Sequence, residues 1–141
     1  MKRILGSALV LVVLAALLGG CSQGRQTAEE TTAAKASAEY TQISREKAQE
    51  MMKSGDGLVV VDVRTQEEYA EGHIPGAICI PNESIVDARP AELPDLGQTI
   101  LVYCRSGRRS KEAAQKLADM GYTNVYEFGG IIDWSGEVVT E

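Results

Sequence analysis

Cys104-Arg105-Ser106-Gly107-Arg108-Arg109-Ser110 is the stretch of this 141-residue chain whose residue types could do covalent chemistry. It follows the apolar, β-branched run Thr99–Tyr103 and precedes an amphipathic helical pattern from Ser110 to Met120. A strand that ends in a cysteine, a short glycine-containing loop and a helix start together make an anion cradle. Backbone N–H groups and the positive end of the helix dipole converge on the sulfur. Three arginines in the loop add fixed positive charge. Each of these features favours thiolate over thiol, so Cys104 is expected to be a nucleophile at neutral pH. A cysteine at a strand end can also be a small buried hydrophobe. The charged residues that follow it at once do not suit an apolar core.

The length of the loop separates two chemistries. The signature of cysteine-dependent phosphatases places five residues between cysteine and arginine, which leaves room for a tetrahedral phosphate. Here that position is Ser110, and the arginine falls one residue earlier, at Arg109. The tighter loop suits a sulfur atom attached to Cys104 better than a phosphoryl group.

The remaining reactive residue types are few. The single histidine, His73, precedes Ile74-Pro75-Gly76 and reads as a turn residue making a structural hydrogen bond, with a catalytic base as the alternative. Cys79 lies in an apolar run and reads as core, the alternative being a resolving partner for Cys104. One histidine and no Cys-x-x-Cys pair offer no metal site, and nothing calls for a cofactor.

The elements that must position the loop can be read in order. Ser44 is an N-cap candidate for a helix through Ala48, Met51 and Met52, ended by Gly55-Asp56-Gly57. Leu58–Val63 is a continuous apolar run, as in a strand buried on both faces. Thr65 caps a short helix stopped at Gly72, and Ala77–Ile80 is a second short strand. The pattern predicts helix over 82–89, strand over 99–103, helix over 110–120 and strand over 124–128. A last short helix should contain Trp134. Alternating strands and helices imply parallel pairing in an α/β sheet covered on both faces. Ligands bind such sheets beyond the carboxyl ends of the strands. Cys104 sits at one such end, and Asp62 and Arg64 at another.

The first twenty residues do not belong to that domain. Lys2 and Arg3 precede the apolar stretch Ile4–Leu18, and Gly19-Gly20 stand directly before Cys21. This reads as a secretory signal, residues 1–20, because the apolar run is short for a membrane span. Its end resembles the lipobox of bacterial lipoproteins, which implies cleavage before Cys21 and lipidation of that residue. An uncleaved anchor with an incidental Cys21 is the alternative, and either places the rest outside the cytoplasm on a membrane. Residues 21–39, rich in Ser, Gln, Thr, Ala, Glu and Lys, read as a flexible tether, with the folded domain over 40–141. Loss of Lys2 and Arg3 leaves 12 basic against 20 acidic residues, a net charge near −8. That balance argues against nucleic acid as a partner.

The Cys104–Ser110 loop resembles the active-site loop of single-domain rhodaneses, the thiosulfate sulfurtransferases. So do Asp62-Val63-Arg64, the run from Glu68-Tyr69 to Gly72-His73-Ile74-Pro75-Gly76-Ala77, and the ending Phe128-Gly129-Gly130-Ile131-Ile132-Asp133-Trp134. The four motifs stand in family order from about Ile43 to Gly136. The resemblance implies a five-stranded, mainly parallel sheet with helices on both faces. It also implies a double displacement. Cys104 takes the outer sulfur of a small anionic donor such as thiosulfate, and a thiol or cyanide acceptor then removes it. Arg105, Ser106, Gly107, Arg108 and Arg109 are the expected substrate-binding loop, with Asp62, Arg64 and Ser110 in support. Arg109 matches the loop-closing position and should be structurally fixed, with Asp62 a candidate partner. On spacing alone Asp62 could equally cap a helix or meet Arg64. Two functions compete with an enzyme: an extracytoplasmic persulfide or thiol-redox binding module with little thiosulfate turnover, and a non-catalytic interaction domain. The intact loop counts against the latter, and its short length against a phosphatase or arsenate reductase.

Overall fold

The computed structural model describes residues 38–141; the signal segment, Cys21 and all but the end of the tether lie outside the described residues. The described residues form five strands and three α-helices. They are β1 (Thr41–Gln42), α1 (Arg45–Ser54), β2 (Val59–Asp62), α2 (Gln66–Glu71), β3 (Ile78–Cys79), β4 (Thr99–Cys104), α3 (Arg108–Asp119) and β5 (Asn124–Gly130). All strand pairs are parallel, in the order β1-β5-β4-β2-β3. Among the described residues no helix is long and apolar enough to cross a membrane.

The central strand β4 is apolar along its whole length because both faces of the sheet are covered. Ile100, Val102 and Cys104 turn toward α3, where they pack with Val61, Val63, Val125, Ala113, Ala114 and Leu117. Leu101 and Tyr103 turn the other way, toward Ala48 of α1, Tyr69 of α2, Ile74 and Phe128. The alternation of side chains along a strand thus assigns each chemical group to one face. Cys104 belongs to the α3 face; Cys79 packs on the opposite one.

Local chemistry explains the helix starts. Ser44 accepts the Lys47 N–H at 3.1 Å. Thr65 and Glu68 form a reciprocal capping box, with Thr65 Oγ1 accepting from Glu68 N at 3.2 Å and Glu68 Oε2 from Thr65 N at 3.1 Å.

Several boundaries differ from the sequence pattern; β5, for one, runs on to Gly130 where the pattern ends it at residue 128. The helix read over 82–89 is a single 3-10 turn, Asn82–Ser84, after which Ile85 takes an extended backbone and buries itself completely. Asn82 is held by Lys116 Nζ on α3, and Pro90 disfavours helix in the residue before it. Trp134 follows a 3-10 turn, Ile131–Asp133, and packs against Phe128 with ring centroids 5.6 Å apart. Strand β1, two exposed polar residues, has no sequence signal at all; its pairing with β5 defines it. Helix α3 begins at Arg108, two residues before the amphipathic pattern, because Gly107 is its N-cap.

Candidate active site

Only three residues, 105–107, separate the last strand residue Cys104 from the first helical residue Arg108. So tight a connection needs left-handed backbone, and Gly107 supplies it at φ 102°. Its N–H donates to Cys104 Sγ at 3.0 Å. Helix α3 starts immediately afterwards, so the donor and the positive helix end both place partial positive charge at the sulfur. Cys104 itself is only 1% exposed.

The floor of the loop is the glycine pair at the end of β5. Gly129 is left-handed at φ 95°, and its Cα would lie 3.6 Å from a Cβ at Gly107. A Cβ on Gly130 would overlap the carbonyl of Arg105. The chain then returns beneath the loop, where Ile132 N donates to Arg105 O at 3.2 Å. Gly129 is therefore required by its backbone conformation and Gly130 by the close approach of the loop.

The loop residues divide by environment. Arg105, Ser106 and Arg108 are exposed, whereas Gly107 and Ser110 are buried. Arg108 makes only an exposed 3.8 Å contact with Glu112. Arg109 is largely buried and is fixed by Glu68 of α2, with Nη1–Oε2 at 2.8 Å and Nη2–Oε1 at 2.9 Å. The Arg109 guanidinium holds the Glu68 carboxyl down at about 2, well below its ordinary value.

The partner of Arg109 is thus Glu68 and not Asp62. Asp62 lies on the opposite face of the sheet from Cys104, between Val61 and Val63 of the Cys104 face, and the strand's alternation turns it away. There it is fully buried and binds Arg64, with Arg64 Nε at 3.0 Å from each oxygen and Nη2 at 2.6 Å from Oδ2. The Arg64 Nη2 also donates to Gly72 O at 2.6 Å, tying β2 to the end of α2. Asp62 and Arg64 support the scaffold around α2 and do not reach the loop.

Ser110 does reach it. Its Oγ lies 3.5 Å from Cys104 Sγ and donates to Glu127 Oε1 of β5 at 2.6 Å. Glu127 belongs to none of the sequence motifs, although an acid inside the apolar strand Val125–Phe128 is the available signal. Glu68 stands in a family motif, but its tie to Arg109 is visible only in the fold. His73 makes the structural hydrogen bond expected of a turn residue. Its Nδ1 shares that bond with Tyr69 O at 2.9 Å, and its ring stacks on Tyr69 at 3.7 Å. Cys79 is half-buried, and burial pushes its thiol up to about 11. Among the described residues no three His, Cys, Asp or Glu side chains cluster as metal ligands would.

Residues 44–137 match the family described as the Rhodanese-like domain. The chain belongs to the rhodanese-like family. It is similar to thiosulfate sulfurtransferase PspE of Escherichia coli, 41% identical over 73 residues that cover 52% of this chain and 70% of that protein. It is also similar to thiosulfate sulfurtransferase GlpE of Pseudomonas entomophila, 41% identical over 93 residues, covering 65% and 81% respectively. Among solved structures, an E. coli rhodanese with anions aligns over 60% of this chain and 99% of that one. Its identity is 37% and its TM-score 0.55. The rhodanese-like domain of Anabaena Alr3790 covers 71% of this chain and 79% of its own, at 26% identity and TM-score 0.64. The family match thus spans β2 to β5, including the strand that ends in Cys104.

Proposed function

We propose that this protein is a sulfurtransferase that carries sulfane sulfur as a persulfide on Cys104, taking it from a small anionic donor such as thiosulfate. The observation that carries this reading is the Gly107 N–H at 3.0 Å from a buried Cys104 Sγ at the start of α3. That arrangement stabilises a negative sulfur and leaves only a three-residue loop around it. The Cys104 thiolate attacks the outer sulfur of thiosulfate, the S–S bond of the donor breaks, and sulfite leaves with that bond's electron pair. A thiol or cyanide acceptor then attacks the outer persulfide sulfur and returns Cys104 as thiolate. Splitting the transfer in two replaces one hard displacement by two easier ones. Exposed Arg105 and Arg108 attract the dianionic donor, while the loop N–H groups hold the anionic persulfide. The relatives named thiosulfate sulfurtransferase support the same chemistry.

The same proposal places the enzyme outside the cytoplasm, lipid-anchored through Cys21. Its support is the order of basic residues, apolar stretch and Gly19-Gly20-Cys21 in the sequence. Retention of a Cys21→Ala variant in the membrane fraction, with unchanged processing, would overturn that part.

The test of function is mass spectrometry after incubation with thiosulfate, together with thiosulfate:cyanide turnover. One added sulfur on Cys104 and loss of both signals in Cys104→Ser are the expected results. Sulfur on Cys79, or turnover surviving in Cys104→Ser, refutes the mechanism. Stoichiometric loading without turnover would replace the enzyme by a persulfide-binding module.

A further inference from the structure

Beneath the sulfur lies a carboxylate that the two displacement steps do not use. Glu127 is completely buried on the Cys104 face of β5. Its Oε1 accepts from Ser110 Oγ at 2.6 Å and from Gly129 N at 2.8 Å. Its Oε2 is buried and has no hydrogen-bond partner among the described residues. The nearby cations are engaged elsewhere: Arg45, whose Nη1 lies 3.7 Å from the Cβ position of Gly129, approaches Asp133, and Arg109 is bound by Glu68. Only the Ser110 hydroxyl separates this carboxyl from Cys104 Sγ.

A thiolate and a carboxylate one hydroxyl apart in a buried site repel each other strongly. A buried charged oxygen with no donor is costly as well. Two arrangements avoid the double charge, and the hydrogen bonds accommodate both. In one, Cys104 is a thiol donating to Ser110 Oγ, and Ser110 donates to the Glu127 carboxylate. In the other, every proton in the chain has moved one place, so that Glu127 is a carboxylic acid and Ser110 donates to the thiolate.

We infer that Cys104, Ser110 and Glu127 share a single proton, which Glu127 holds whenever the Cys104 sulfur is anionic. This deepens the proposed function and rests on the persulfide reading. To activate the nucleophile, the Cys104 S–H bond breaks as an O–H bond forms on Glu127, through Ser110 and with no proton exchanged with solvent. Attack on the donor and release of sulfite leave an anionic persulfide above an uncharged carboxylic acid. The buried site then keeps one negative charge through loading and unloading, so sulfur moves without recharging the protein interior. Glu127 touches no reacting atom and acts through Ser110; it is a positioning residue that stores the proton.

Infrared difference spectroscopy of the full protein before and after thiosulfate, with persulfide confirmed by mass spectrometry, tests this directly. In the persulfide form the C=O stretch of a protonated carboxyl should be present, shift in deuterated water, and disappear in Glu127→Gln. Should that variant fail to fold, Glu127→Asp should move the band instead. The S–H stretch of Cys104 and the protonated-carboxyl band should together account for one proton per site. A confirmed persulfide with no protonated carboxyl, or a band unchanged in the Glu127 variants, overturns the relay and leaves the sulfurtransferase reading intact. Absence of any persulfide overturns both, because the proton is placed by the sulfur's charge.

Discussion

Replacing Glu68 by glutamine keeps the shape of the α2–α3 contact and removes its charge. The pair it disrupts is bidentate, at 2.8 and 2.9 Å, with Arg109 18% and Glu68 24% exposed. The Glu68 carboxyl stands at about 2 in the folded protein against an ordinary 4.5. Such a displacement corresponds to about 3 kcal/mol of folding free energy. Water reaches the pair's rim, so about 2 kcal/mol is the better expectation for the coupling. A depressed carboxyl contributes its full stabilisation above the unfolded value and loses it as pH falls. The advantage of the native protein over Glu68→Gln should therefore hold at neutral pH and shrink progressively from about pH 5 toward about pH 2. Urea denaturation of the native protein, Glu68→Gln, Arg109→Gln and the double variant measures this as a cycle. Since Arg109 belongs to the first turn of α3 beside the sulfur, the single variants should also slow persulfide loading by about tenfold or more. A coupling below about 0.5 kcal/mol, or one that does not change with pH, refutes the idea that this pair fixes the loop.

Asp62→Asn strands the Arg64 guanidinium, 7% exposed, without its counter-charge. Urea denaturation should show a loss of about 3–5 kcal/mol. Gly130→Ala forces a methyl group onto the Arg105 carbonyl. It should cost about 2 kcal/mol in the same assay and, by displacing the loop, slow Cys104 loading by about 100-fold in single-turnover kinetics. Leu117→Ala, fully buried between α3 and the sheet, should cost about 3 kcal/mol while leaving the loading rate of the folded protein nearly unchanged.

The fold is legible in the sequence because its signals are local. Apolar runs of strand length, Ser44 and Thr65 before helical patterns, and glycines between them are all contained in windows of a few residues. The Cys104 loop is legible for the same reason, since nucleophile, donor Gly107 and helix start lie within five consecutive residues. What escapes the sequence depends on which face a residue occupies. Asp62 and Arg109 look like natural partners until the alternation of β2 turns Asp62 away from the loop. Glu68 reaches Arg109 across 41 positions, and only the packing of α2 against the start of α3 brings them together. Glu127 interrupts an apolar strand, but nothing local says that it is buried or that it lies beside the loop. Its burial follows from facing α3 on the same side of the strand as Val125. Helix over 82–89 fails for a different reason, because tertiary burial of Ile85 and the anchoring of Asn82 override a weak local preference.

The charges of the site follow a division of labour that composition conceals. An acidic chain places three arginines beside one cysteine and a fourth, Arg64, on the opposite face of the sheet, and two of the four are neutralised within the fold. Arg64 is bound by Asp62 and Arg109 by Glu68, each with a geometry that holds an element in place. Arg108 has a loose, exposed partner, and Arg105 has no ion pair among the described residues. Under the proposed function a dianionic donor would meet two exposed positive charges at the surface and, below them, a sulfur held by a backbone donor. The two layers act at different moments. Arg105 and Arg108 act on encounter and should lose influence as salt rises, whereas the Gly107 N–H and Ser110 act on the bound, desolvated sulfur and should not. Charge reversal at Arg105 should consequently raise the KM for thiosulfate at low salt by more than it lowers kcat, while disturbance of Ser110 should do the opposite.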